Sequence, residues 1–368
     1  MARPPHSRAA LSAAAACLIV LAAAATLLAQ APAPASAATP SATPTPADAV
    51  LTPPPFYAQS LHFTNRGISY WYAKEQGGIE RITGVSAEEL GCQKSKCHVR
   101  SCDDCHRRDE AGRPAYTSDP DRLHATCTRC HPLEPEQLVT DVHLRRGMRC
   151  LDCHTGREIH GDGTPLVSYM QPGAMDARCE NCHASVSESD AHAAHGGRLA
   201  CSACHVKEMT TCFNCHIDTR RSGGGESSIP LQKMFFLVNH DGRVKPANFL
   251  SYVAGQKTMI TVAPSFSHLI VREGRRCADC HGTAIVKDIA ADRFRPTTWK
   301  DGKLTGVEGV IPVVDGMKWD LVYLDRRDGK WTPLERPEPP LLNYAGWCTP
   351  LSRAQLARLE QAQGPAPR

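Results

Sequence analysis

The sequence predicts a first half of short helices and irregular loops, then a β-rich part made of hairpins and closed by one helix. Three observations lead to this fold class. The motif Cys-x-x-Cys-His occurs seven times, and six copies lie before residue 217. Aromatic residues are only 6% of the 368 residues, too few to fill an ordinary core of this length. After residue 222, turn residues alternate with runs of β-branched and aromatic residues, which is typical of hairpins.

The N-terminal segment has the pattern of an export signal. Arg3 and Arg8 precede the apolar stretch Ala9–Ala29, and small-x-small cleavage sites follow it. We therefore expect residues 1–37 to be a signal peptide and the protein to be exported, either to the periplasm or to the extracellular cell surface. The apolar stretch is also long enough to act as a membrane anchor if it is left uncleaved. Residues 38–55, rich in Pro, Ala and Thr, predict an extended linker.

The seven regular motifs predict covalently attached haem. In Cys-x-x-Cys-His, two thiols add to the vinyl groups of one porphyrin, and the imidazole that follows ligates its iron. Zinc ribbons and redox disulfides also use Cys-x-x-Cys pairs, but neither explains a His after every pair. The predicted thioether residues are Cys102, Cys105, Cys127, Cys130, Cys150, Cys153, Cys179, Cys182, Cys201, Cys204, Cys212, Cys215, Cys277 and Cys280. The predicted proximal iron ligands are His106, His131, His154, His183, His205, His216 and His281.

An eighth motif is less regular. Cys92 and Cys97 are separated by four residues and precede His98, a spacing found among the cytochromes c3. The eight motifs contain all but two of the 18 cysteines, and the two are Cys17, in the apolar stretch of the signal, and Cys348. We predict eight covalently attached haem c groups. We expect Cys348 to be a buried small residue rather than a reactive thiol or an intermolecular disulfide.

The histidines outside the motifs predict the second axial ligands. The chain has 17 histidines, of which eight end motifs and His6 lies in the signal, so eight candidates remain for eight irons. Bis-His ligation gives a low-potential haem that is closed to substrate. A methionine is the alternative sixth ligand, and a surface or turn position is the alternative role of each histidine. The candidate distal ligands are His62, His124, His143, His160, His192, His195, His240 and His268.

The spacing of the motifs predicts a haem-packed core. Seven of the eight motifs lie between Cys92 and His216, so neighbouring porphyrins must touch or nearly touch. Porphyrin then supplies the apolar area that the few aromatic side chains do not. We expect a seven-haem cytochrome module at 56–221 and a β-rich domain at 222–368 that carries the eighth haem.

Turn sequences and a capping pattern predict the elements of the β-rich domain. Ser352 and Gln355 have capping-box spacing, which predicts a closing helix at 352–363. Three turn sequences between apolar runs predict hairpins, at His240-Asp241-Gly242, Ala254-Gly255-Gln256-Lys257 and Asp315-Gly316.

The charge of the chain argues against a nucleic-acid partner. The formal net charge of +4 includes two arginines of the signal. With those removed and eight oxidised haems attached, the net charge becomes roughly −6, because each haem brings two propionates. We expect arginines beside the motifs, such as Arg107 and Arg108, either to pair with propionates or to form a solvated face.

The motif set resembles that of the multihaem, octahaem c-type cytochromes of periplasmic and extracellular electron transfer. The resemblance rests on the eight motifs and on His-Leu-Arg-Arg-Gly-Met-Arg-Cys-Leu-Asp-Cys-His at 143–154, and covers roughly residues 62–281. It implies respiratory electron transfer along closely packed haems to a redox partner protein of the envelope or to an extracellular acceptor. Some members of this family form homopolymeric filaments in which a His of one subunit ligates a haem of the next. His62 suits that role or a role within its own chain.

The alternative function is that of a multihaem reductase of the nitrite, hydroxylamine or tetrathionate type. Such enzymes combine bis-His haems with one labile or open haem. Pentahaem and octahaem nitrite reductases mark this haem with Lys in place of the motif His, and no Cys-x-x-Cys-Lys occurs in the chain. Eight spare histidines for eight irons favour the electron carrier, because a saturated iron has no position for substrate.

Overall fold

The computed structural model describes residues 57–86, 88–90, 105–108, 110–111, 114–115, 119–186, 189–209, 211–223 and 225–361. The predicted signal, linker, Cys92–His98 motif and Cys102 lie outside these residues. No helix in the described ranges is long and apolar enough to cross a membrane.

Short helices joined by irregular loops form the cysteine-rich part of the chain, as predicted. Asp119 illustrates why they start where they do, since its carboxylate accepts hydrogen bonds from the backbone of Asp121 and Arg122 at the first turn of a helix that begins with Pro120. The helices are α1 (Leu61–Thr64), α2 (Arg66–Tyr72), α3 (Glu80–Thr83), α4 (Pro120–Thr128), α5 (Pro135–Thr140), α6 (Gly156–His160), α7 (Asp190–His195), α8 (Cys201–His205) and α9 (Ile217–Arg221). Short 3₁₀ segments cover Tyr57–Gln59, Lys74–Gln76, Leu144–Arg146, Cys150–Asp152 and Cys179–Asn181.

The described residues of the later part of the chain contain strands and three further helices. The two-residue strands β1 (Arg107–Arg108) and β2 (Pro114–Ala115) pair earlier in the chain. The later strands are β3 (Thr211–His216), β4 (Ile229–Leu231), β5 (Met234–His240), β6 (Arg243–Ala254), β7 (Lys257–Pro264), β8 (Thr297–Lys300), β9 (Lys303–Gly306), β10 (Gly309–Pro312), β11 (Leu324–Arg327), β12 (Lys330–Pro333) and β13 (Leu341–Tyr344). The helices are α10 (Cys277–Cys280), α11 (Ala284–Ala290) and α12 (Arg353–Glu360).

A mixed sheet is organised around the long strand β6. One edge of β6 pairs antiparallel with β7, and the other edge pairs antiparallel with β5 and, further along, parallel with β3. Outer strands extend the sheet: β10 runs parallel to β5, β13 runs parallel to β7, and β4 runs antiparallel to β3. The motif at 212–216 is therefore part of this sheet.

Two of the three predicted hairpins form. Asp241 and Gly242 have φ of 52° and 72° between β5 and β6, which is the left-handed pair of a two-residue turn. The turn at Gly255 joins β6 and β7. The hairpin predicted at Asp315-Gly316 does not form, because β10 runs parallel to β5 instead. Val310 and Ile311 are both buried there, and burial on both faces of a strand suits a place inside a sheet.

An apolar core lies on one face of this sheet and is closed by the last helices. Phe236 and Phe249 stack at 4.6 Å between ring centres with no exposed surface. The predicted closing helix is confirmed as α12, whose capping box joins Ser352 and Gln355. Cys348 is buried in this core, and its thiol donates to the Val262 carbonyl at 3.4 Å.

Candidate functional site

Most of the described motifs share a one-turn helical conformation. The backbone N–H of His131, His154 and His183 each donates to the carbonyl of the first motif cysteine at 2.9 Å, and that of His281 does so at 2.8 Å. The motif at 201–205 is the helix α8. A helical turn brings the imidazole to the side of the two thiols, which is what attachment of one haem requires.

Six predicted proximal histidines each face a predicted distal histidine. The distances between ring centres all lie from 6.0 to 6.3 Å. The pairs are His106 with His160 at 6.0 Å, His183 with His143 at 6.1 Å, His131 with His62 and His154 with His268 at 6.2 Å, and His205 with His192 and His281 with His195 at 6.3 Å.

This common spacing fits one metal ion between the two rings of each pair. A metal–nitrogen bond of about 2.0 Å, with about 1.1 Å from nitrogen to ring centre, separates two imidazoles on opposite sides of an ion by about 6.2 Å. Ring pairs in proteins ordinarily spread over a range of more than 2 Å, roughly 4.5 to 7 Å. Six pairs within 0.3 Å of one another therefore indicate one kind of site repeated six times.

The Nδ1 atoms of several of these rings are held by protein groups, which leaves Nε2 for a metal. Both proximal and distal candidates are anchored in this way. The Nδ1 contacts are His62 with the Tyr169 hydroxyl at 2.6 Å, His192 with the Ser189 hydroxyl at 3.1 Å, and His195, His205 and His281 with the carbonyls of Ala191, Val271 and Arg358, each at 3.1 Å.

His154 has a carboxylate as its Nδ1 partner. The Glu158 Oε2 atom lies 2.7 Å from this nitrogen, and the other Glu158 oxygen accepts hydrogen bonds from the backbone of Asp176 and Ala177. Glu158 is only 6% exposed. A buried carboxylate in this position fixes the ring and makes the imidazole a more basic ligand. Glu158 was not predicted from the sequence, although its place four residues after a motif His is a signal that could have found it.

Burial favours the neutral form of the ligand histidines. It is the main cause that lowers the pKa of His62, His106 and His268, and in each case the paired imidazole lowers the pKa further. Metals bind the neutral form of imidazole, so these rings are already in the ligating state near pH 7.

Successive motifs lie next to each other, so the candidate sites form a row. The side chain of Cys127 interacts with that of Cys150, and the side chain of Cys179 interacts with that of Cys201. Electrostatic interactions link Cys153 to Cys182, Cys204 to Cys277 and Cys280, and His62 to His160. The order of sites in space is therefore their order in the chain, from the 102–106 motif to the 277–281 motif.

Three of the predicted ligands that the structure describes lie outside these pairs. His216 contacts Asp325 through Nε2 and Thr219 through Nδ1. His240 donates from Nε2 to the Met170 carbonyl at 2.9 Å and accepts from Lys245 at Nδ1, so both its nitrogens are used. The Nδ1 atom of His124 lies 3.2 Å from Cys150 Sγ, and no ring pair among the described residues joins His124 to another histidine.

Paired imidazoles beside Cys-x-x-Cys-His cysteines are the arrangement that c-type haem with two histidine ligands requires. No family model matches the chain, and no solved structure matches it. Among curated proteins, the chain is similar to the dissimilatory sulfite reductase MccA of Wolinella succinogenes, with 25% identity over 168 residues. The match covers 36% of this chain and 23% of that protein, so it relates the chain distantly, and over part of its length, to the multihaem cytochromes at most.

Proposed function

We propose that the protein is an exported multihaem c-type cytochrome of the reductase kind, in which a row of bis-His haems supplies electrons to a site of substrate reduction. The observation that carries the proposal is the set of six His–His pairs with one common spacing. Haem bound by two histidines supplies one-electron chemistry and has no open position. The six paired sites would therefore carry electrons and leave substrate to another site.

The residues of the chain have two tasks in this proposal. The motif cysteines would fix each porphyrin by thioether bonds, and because Cys127 lies near Cys150 and Cys179 near Cys201, successive sites would be adjacent. The paired histidines would hold the iron, and their Nδ1 partners would set ring orientation and ligand basicity. Glu158 is a carboxylate partner, so we expect it to lower the potential of a haem held by His154.

The comparison favours a reductase over a carrier. The similar protein is named as a sulfite reductase, and small inorganic oxyanions such as sulfite or nitrite are the substrate class that we propose. The irregular Cys92–His98 motif precedes the row directly, with three residues between His98 and Cys102. We assign substrate reduction to this motif, because the paired sites of the row are closed.

An electron carrier is the second candidate, and His124 is the observation that favours it. His124 belongs to no described His–His pair, which leaves it available as the second ligand of the iron at His98. With that ligand in place the 92–98 site would be closed as well, and the acceptor would be a redox protein or an extracellular electron acceptor.

Low-temperature EPR of the oxidised protein separates the two candidates. The reductase predicts one high-spin or ligand-responsive haem, whose signal and optical spectrum change on adding sulfite or nitrite, and turnover of that anion with reduced methyl viologen. A spectrum of low-spin haems alone, unchanged by either anion and without turnover, would establish the carrier instead.

A further inference from the structure

We infer that the Cys212–His216 motif attaches no haem, and that Cys212 and Cys215 are instead a free thiol pair on the surface of the sheet. The motif fits the haem pattern in sequence. Its conformation in strand β3 differs from that of every motif described as a helical turn, and three independent features of the strand oppose attachment.

The thiols and the imidazole of this motif lie on opposite faces of the sheet. In its pairing with β6, Cys212 is opposite Leu250, Cys215 opposite Tyr252, and His216 opposite Val253. Paired residues on neighbouring strands share a face and successive residues alternate, so both cysteines lie on the Leu250 and Tyr252 face. His216 lies on the other face, and one porphyrin cannot receive both thiols and this imidazole across the sheet.

A β-bulge places the two cysteines on one face. Three residue steps from Cys212 to Cys215 oppose two steps on β6, and Asn214 at the bulge has a φ of 53°. Asn214 is completely buried, and its side-chain amide bonds the backbone N–H and carbonyl of Leu324 at 2.7 and 2.8 Å. Its own N–H donates to the Ser251 hydroxyl at 2.8 Å. A helical turn at this motif would break all three bonds.

His216 is fully engaged as a structural residue. Its backbone N–H donates to the Ser227 carbonyl at 2.7 Å rather than to Cys212. Its Nδ1 accepts from Thr219, and its Nε2 donates to the Asp325 carboxylate at 3.1 Å. In the paired histidines an Nδ1 contact leaves Nε2 for iron, whereas in His216 both nitrogens have partners in the protein.

The consequence is that Cys212 and Cys215 remain thiols open to thiol reagents. Cys212 is exposed and Cys215 is half-buried, and burial raises the pKa of Cys215. In alkylation by iodoacetamide, the deprotonated sulfur forms a bond to carbon and iodide leaves. The fraction of thiolate therefore controls the rate of alkylation. We therefore expect Cys212 to react before Cys215. This inference is independent of whether the row of haems serves a reductase or a carrier.

Peptide mapping of the purified holoprotein tests the inference directly. Trypsin releases Cys212 and Cys215 together in the peptide 208–220, and releases Cys277 and Cys280 in the peptide 277–287. After reduction and treatment with iodoacetamide, we expect two carbamidomethyl groups and no haem on the first peptide, and haem on the second. Recovery of the 208–220 peptide with haem attached overturns the inference.

Matched cysteine variants give a second readout. Replacing both Cys212 and Cys215 with Ser should leave the ratio of haem to protein unchanged in the pyridine haemochrome assay, whereas the same change at Cys277 and Cys280 should lower it by one. A loss of one haem from the first variant contradicts the inference. If that variant fails to accumulate, the peptide map of the natural protein still decides.

Discussion

At the scale of single residues, the contacts of the two ring nitrogens distinguish candidate ligand histidines from structural ones. His154 and His268 face each other at 6.2 Å, and the Nδ1 atom of His154 is held by Glu158. His240 is more buried than either of these rings, but its Nε2 atom is bonded to the Met170 carbonyl. The protein partners of the ring, more than its burial, therefore determine which histidines remain for iron.

Replacement of a paired distal histidine should open one haem. In His268→Ala, the iron bound by His154 loses its sixth ligand, so we expect one low-spin haem to become high-spin and to bind cyanide or carbon monoxide. His240→Ala is the matched control and should leave the EPR spectrum of the haems unchanged. The assignment fails if the control, and not His268→Ala, produces the high-spin signal.

The carboxylate behind His154 should lower the potential of its haem. In Glu158→Gln the imidazole becomes a weaker donor to ferric iron, so we expect the reduction potential of one haem to rise by roughly 60 mV, equivalent to a tenfold change in relative affinity. A spectroelectrochemical titration with EPR readout measures this. Glu136→Gln, at an exposed ion pair with Lys207, is the control and should not move any potential.

His240 should make stability depend on pH below neutrality. Burial is the main cause that lowers its pKa in the folded protein, so the unfolded chain binds a proton more readily. The stability associated with neutral His240 is complete above the unfolded value of about 6.5 and is lost as pH falls through the lower, folded value. We expect a smaller drop in Tm between pH 7.5 and 5.5 for His240→Gln than for the natural protein. Equal drops would show that His240 does not titrate in this way.

At the scale of elements, the two parts of the chain are stabilised by different means. The sheet buries a continuous apolar cluster that includes Phe213, Phe236 and Phe249 and is covered by α11 and α12. The helices of the cysteine-rich part are nine residues or shorter and carry few buried apolar side chains. Such short helices are marginal by themselves, so packing or cross-links must hold them.

The stacked pair at the centre of the sheet should contribute strongly to its stability. Phe249→Ala removes a completely buried ring and the contact with Phe236, and we expect a loss of about 3–5 kcal/mol in the free energy of unfolding. Phe266 is 54% exposed, so Phe266→Ala is the control and should change this free energy by less than about 0.5 kcal/mol. Denaturant unfolding followed by tryptophan fluorescence measures both.

At the scale of the whole molecule, the six paired sites connect segments far apart in the chain. His62 faces His131, and His154 faces His268, so single sites join residues more than 60 and more than 110 positions apart. Iron bound in each pair would act as a cross-link between such segments. Because His62 faces a histidine of its own chain, the geometry favours an intramolecular role for it over donation to a neighbouring subunit.

Absence of haem should therefore unfold one part of the molecule before the other. When the chain is produced without residues 1–37, the predicted signal, and so without haem attachment, we expect residues 119–205 to be cleaved early by protease while the sheet, with its apolar core, resists. The holoprotein is the control and should be cleaved slowly in both parts. Equal resistance of the two parts in the haem-free chain would contradict this division.

Local sequence was sufficient to predict the types of elements and to name the candidate ligands. The motif cysteines and histidines, the hairpins at Gly242 and Gly255, and the capping box at Ser352 depend on residues close together in the chain, and each was recognisable from spacing alone. The pairing of β10 with β5 was not recognisable in this way, because burial of the whole sheet decides it.

The sequence by itself determined which residues could attach and ligate haem, since the chemistry of Cys-x-x-Cys-His lies within five residues. Only the tertiary structure decided which histidines face each other, the order of the sites along the row, and the different environment of His216. Each of these depends on contacts between distant segments, such as the hydrogen bond from the Asn214 side chain to the Leu324 carbonyl. These two residues are 110 positions apart, so no local sequence pattern predicts the contact. The candidate ligands are thus encoded locally, whereas their pairing, and which of them remain available for iron, are properties of the packed chain.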